Sequence, residues 1–71
     1  MNSLYDVQQV LKRFGIYVYV GSRLGDIELM AIELKNLYEA RMIDEKTYQT
    51  SWLILKREHR IEEARDKSGE M

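Results

Sequence analysis

The sequence predicts an all-α fold, a three-helix bundle with an extended connector between helices 1 and 2. Three observations lead there. Apolar residues recur at spacings of three and four in three separate segments, the 71 residues include no proline to interrupt a helix, and the one run with strand-like alternation, FGIYVYVGSR, has no second run to pair with. There is no internal repeat and no low-complexity tract.

The first helix is marked at both ends. Ser3 is placed as an N-cap, Asp6 stands three residues on where a capping carboxylate helps, and Gly15 provides a C-terminal stop. Leu4, Val7, Val10, Leu11 and Phe14 form one apolar stripe, with Gln8, Gln9, Lys12 and Arg13 off it. Lys12 and Arg13 also suit the negative end of the helix dipole.

A second helix is expected to start between Ser22 and Asp26 and to run to about Met42. Asp26 and Glu28 favour an N-terminal turn. Ile27, Met30, Ala31, Leu34, Leu37, Tyr38 and Arg41 share one face, and Leu29, Ile32 and Ile43 widen it, so this helix should be the centre of the bundle. Asp44 reads as the N-cap of a third helix, with Thr47 in reach of its side chain. Tyr48, Trp52, Leu55 and His59 follow at i, i+4, i+7 and i+11, flanked by Leu53, Ile54 and Ile61. The short connection from Met42 to Asp44 folds the second and third helices into an antiparallel hairpin. Residues 62–71, EEARDKSGEM, are expected to form a solvated, fraying end of the single domain 1–71.

So small a domain buries only about 60% of the surface its unfolded chain exposes. With no cysteine, disulfides and thiolate zinc sites are excluded, and helix packing, helped by self-association, must supply the stability. No run reaches the roughly 18 apolar residues that span a bilayer, and Asp6, Gln8 and Gln9 interrupt any secretory apolar stretch. The expected location is cytoplasmic, with no membrane association.

Net charge is −1, yet its distribution is uneven. Residues 1–25 set Lys12, Arg13 and Arg23 against Asp6 alone. Residues 26–51 set six acids against three bases, and residues 52–71 balance five against five. The strand-like connector therefore lies in the net-basic third of the chain.

In an extended connector Ile16, Val18 and Val20 point one way and Tyr17 and Tyr19 the other. One reading makes it a lid, with the aliphatic side chains laid on the helices and the tyrosines along the rim. A second presents Tyr17 and Tyr19 as flat faces on which unpaired bases of single-stranded DNA or RNA stack, with Lys12, Arg13 and Arg23 following the phosphates. A third pairs the free strand edge with a protein partner or with its own copy as a weak homodimer.

Other constellations carry less. Gly21 to Asp26, GSRLGD, has glycines before a helix start but lacks the P-loop spacing and lysine, and Asp26 repels an anion; a helix-initiating turn explains it. His59 has Glu62 one turn away, but Lys56, Arg57 and Arg60 oppose a dication, so no metal site is expected. A helix-turn-helix reader would drive Asp44 and Glu45 into the phosphates. The four serines share one histidine and no paired carboxylates stand out, so no catalytic residue and no enzyme activity is expected.

The segments SLYDVQQVLKRFG, IYVYVGSRLGDIELMAIELKNLYEA and MIDEKTYQTSWLILKREHR together resemble the YqgQ-like family of short bacterial proteins. The resemblance covers residues 3 to about 60 and is most specific from Phe14 to Met30. It implies a compact three-helix fold, no cofactor and a cytosolic home, and it brings no established activity.

Overall fold

The computed structural model describes residues 2–69, with side chains as far as Arg65. Three helices follow in order: α1, Leu4–Lys12; α2, Arg23–Glu39; and α3, Glu45–Gly69. No strand occurs among the described residues, so the bundle with its extended connector is the observed architecture.

α1 begins as its sequence dictates. The Asp6 carboxylate accepts the backbone N–H groups of Asn2 at 2.9 Å and Ser3 at 3.2 Å, and the Ser3 hydroxyl at 3.2 Å. These donors, Asn2 first, hold the Asp6 carboxyl below its usual range. At the far end Gly15 takes φ 74°. Gly15 N–H bonds to Lys12 O at 3.0 Å and Ile16 N–H to Leu11 O at 3.1 Å, the paired bonds of a Schellman motif. A left-handed residue is required there, and glycine adopts it without strain.

Ser22 caps α2, its hydroxyl accepting Gly25 N–H at 3.0 Å. A Cβ on Gly25 would stand 2.8 Å from both Ser22 Oγ and Val20 Cγ2, so the glycine is what lets the connector close onto the first turn. The helix stops at Glu39, short of the expected Met42. Arg41 turns left-handed at φ 61°, with Arg41 N–H on Tyr38 O at 3.0 Å and Met42 N–H on Leu37 O at 2.8 Å. The helix-ending bonds of α1 recur here without a glycine. Asp44 then caps α3 by accepting Thr47 N–H at 2.8 Å, and its hydrogen bonds to Thr47 hold its carboxyl low.

α2 and α3 pack as the antiparallel hairpin, their Tyr38 and Tyr48 rings stacked 4.3 Å apart near the turn, and α1 touches both. The core comprises Leu4, Val7, Val10 and Leu11 of α1, Ile27, Met30, Leu34 and Leu37 of α2, and Ile54 and Leu55 of α3. Phe14, Ile16 and Val18 pack against it from the connector side.

α3 departs from expectation in register. Its inward stripe is Ser51, Ile54, Leu55, Glu58 and Glu62, whereas Trp52 is 44% exposed and Leu53 and Ile61 face solvent. Spacing places both stripes on a helix; α3 buries the less apolar one because Arg23 meets Glu58 and Glu62 there. The end expected to fray is helical to Gly69, and Glu62 within it is only 6% exposed. Residues 70 and 71 of that expected end lie outside the described residues.

Candidate nucleic-acid interface

The connector leaves α1 through the Gly15 turn and enters α2 through Ser22. Its inward side chains, Ile16 and Val18, are half-buried on the core, while Tyr17 is 74% and Tyr19 87% exposed. That alternation is the extended geometry the sequence predicts, with both phenol rings on the solvent side. Val20 also lies exposed, so the inward set is one residue shorter than expected.

Lys12, Tyr17 and Tyr19 come together around a shallow cleft of about 250 Å³, whose floor includes Leu11, Ile16, Val18 and Met30. Gln8 joins its wall. Sequence reasoning passed over Gln8, although it sits one turn before Lys12 on the same side of α1 and so shares its surface. Arg13 is exposed beside Lys12, and neither cation has an ion pair among the described residues.

Arg23 is placed differently from expectation. Its Nε lies 3.0 Å from Glu62 and its Nη2 3.3 Å from Glu58, across the bundle on α3. Glu58 is also 3.5 Å from Arg57, and Glu62 3.6 Å from Arg65. The guanidinium thus compensates two carboxylates, one of them buried, instead of standing free beside the tyrosines. Its packing position explains this: the first turn of α2 crosses α3 where Glu58 and Glu62 point inward.

Arg23 and Asp26 together anchor the end of the connector. Val20 N–H donates to Asp26 Oδ1 at 2.7 Å, which occupies the carboxylate that the sequence reading set against an incoming anion. Arg57 Nη2 donates to Asn2 O at 2.8 Å and ties the start of α1 to α3.

His59 lies 3.0 Å from Glu28 at the edge of an α2–α3 groove of about 440 Å³ that Trp52 also lines. Among the described residues no group of three or more His, Cys, Asp or Glu side chains is placed to hold a metal.

The family description YqgQ-like matches residues 1–61, which takes in the helix starts at Ser3, Ser22 and Asp44, the whole connector and α3 as far as Ile61. The chain belongs to the YqgQ-like family. A YqgQ protein of Bacillus subtilis (strain 168), described as uncharacterized, is 47% identical over 58 residues, covering 82% of each chain. The YqgQ-like match thus spans Lys12, Arg13, Tyr17, Tyr19 and Arg23 together with Glu58, one of the two α3 acids that hold Arg23, and ends one residue before the other, Glu62. No described helix of this YqgQ-like chain is long and apolar enough to cross a membrane.

Proposed function

We propose that this YqgQ-like chain is a non-catalytic binding module that takes single-stranded nucleic acid on the connector, with Tyr17 and Tyr19 as the stacking surfaces. The observation that carries the reading is the pair of solvent-facing rings sharing one cleft with Lys12, a cation without an ion pair among the described residues. Each base stacked on such a ring contributes about 1–3 kcal/mol without regard to sequence. Lys12 and Arg13 follow the backbone at the entrance. Arg23 acts by holding the end of the connector to α3 rather than by touching phosphate.

Two phosphate contacts predict a shallow salt dependence. The logarithm of affinity should fall with the logarithm of salt at a slope of about −1.4 for a single strand. Titration of a fluorescent oligo-dT or oligo-U at low and moderate salt tests the reading. Replacing both tyrosines by threonine should weaken binding at least about fivefold, the lower bound for one lost stack. Lys12→Ala with Arg13→Ala should flatten the salt slope. Absence of binding, or binding indifferent to the tyrosines, rejects it.

A second reading, a protein-interaction module, is favoured by a separate observation. Among the described residues the backbone groups of Tyr17 and Tyr19 make no hydrogen bond.

A further inference from the structure

We propose that two copies of this chain pair antiparallel along the Tyr17 and Tyr19 edge of their connectors, about a two-fold axis at Val18. The interaction is with a second copy and is independent of nucleic acid, although it uses the same segment.

The choice of edge follows from backbone parity. In an extended chain the N–H and C=O of one residue point to the same side, and those of the next residue to the other. Ile16, Val18 and Val20 therefore share one edge, and that edge is occupied at both ends. Ile16 N–H is held by Leu11 O at 3.1 Å and Val20 N–H by Asp26 Oδ1 at 2.7 Å. Tyr17 and Tyr19 share the opposite edge. Their two donors and two acceptors have no hydrogen-bond partner among the described residues.

The choice of partner follows from the sequence along that edge. Ile16, Tyr17, Val18, Tyr19 and Val20 read the same in both directions apart from an exchange of isoleucine for valine. A two-fold axis at Val18 sets Tyr17 opposite Tyr19 of the second copy, in the register where opposed residues exchange both hydrogen bonds. Both tyrosine pairs do so, which satisfies all four free groups on each edge. Val18 then faces its own copy on the helix side. Such an isologous contact closes at two subunits and does not propagate.

The connector's own residues do not blunt the edge. Residues 14–22 contain no charge and no proline, the devices by which exposed edges are usually blunted. A lone two-stranded ribbon is marginal in water, but each strand here is backed by Ile16 and Val18 on a helical core. Pairing would also bring four tyrosines onto one face of the ribbon, because opposed residues in a ladder project to the same side.

The contact is small. Five residues a side fall well below the roughly 1,200–2,000 Å² of a stable interface, so the dissociation constant should be on the order of 0.1–1 mM.

Amide hydrogen exchange on the wild-type chain, read by NMR at about 20 µM and about 1 mM without nucleic acid, tests the register directly. At the higher concentration Tyr17 and Tyr19 amides should exchange about two- to fivefold more slowly, the inverse of the fraction left monomeric, with Val18 unchanged. Sedimentation should show the same dimer in the Tyr17→Thr/Tyr19→Thr chain, which keeps the edge but has lost the stacking rings. Tyr19→Pro, which removes a donor from this edge, should be monomeric with an unchanged helical circular dichroism signal; if it unfolds, the wild-type amides alone decide. A monomer throughout, or a dimer that leaves Tyr17 and Tyr19 unprotected, overturns the pairing. Oligonucleotide binding measured at low micromolar protein, where the chain is monomeric, stands or falls separately.

Discussion

Arg23 Nε and Glu62 Oε1 lie 3.0 Å apart and join the first residue of α2 to a carboxylate that is otherwise buried on α3. An exposed ion pair contributes little, but Glu62 has lost most of its water and depends on the guanidinium for compensation. Arg23→Ala should therefore lower the unfolding free energy by about 1–3 kcal/mol, the cost of leaving a buried acceptor poorly partnered. Arg60→Ala, an exposed cation on α3, should stay within about 0.5 kcal/mol. Urea denaturation of the two variants makes the comparison.

Arg41 occupies the left-handed position where α2 ends, at φ 61°. A side chain there crowds its own backbone, which glycine avoids. Arg41→Gly should stabilise the chain by about 0.5–1 kcal/mol and raise the melting temperature by about 2–8 °C in a domain this small. Arg41→Val should destabilise it, since β-branching worsens the crowding.

Asp6 and Asp44 both have carboxyls held below the ordinary 3.8 by hydrogen bonds at helix starts. A folded-state pKa below the unfolded one means that the ionised carboxylate favours the native state. Its contribution is complete above the unfolded value of about 3.9 and fades as pH falls through the lower, folded value. Urea midpoints of wild type and Asp44→Ala should differ by a constant amount from pH 7 to about pH 5 and converge below about pH 4. A gap that stays constant into acid would show that the charge of the cap contributes nothing.

The connector has two faces with opposite tolerances. Tyr17→Thr with Tyr19→Thr should leave stability within about 0.5 kcal/mol per site, because the rings bury little against the bundle. Val18→Ala removes two methyl groups from the inward face and should cost about 1 kcal/mol. Thermal melts of the two variants distinguish an extended connector from one wound another way.

Much of this molecule is local and therefore readable in one dimension. Ser3 with Asp6, Gly15 and Asp44 with Thr47 act within a few residues of themselves, and the Leu4, Val7, Val10, Leu11 stripe lies within three turns of one helix. The alternation of Ile16, Tyr17, Val18 and Tyr19 is likewise a property of the chain alone, and it predicted which rings face water. The end of α2 was misplaced by three residues because Arg41 takes a conformation usually left to glycine.

What pattern could not assign was the partner of each face. Trp52 carries more apolar surface than Glu62, and transfer energy alone would bury the tryptophan. Packing reverses the order because Arg23, 39 positions earlier in the sequence, arrives opposite Glu58 and Glu62 and makes their burial tolerable. The same meeting withdraws Arg23 from the surface of Tyr17 and Tyr19. Short-range sterics, capping and periodicity thus determined where the helices lie and which way the connector faces. Only the docking of α2 on α3 decided which charges are compensated across the bundle, since Coulombic pairing depends on distances in space that sequence separation does not encode.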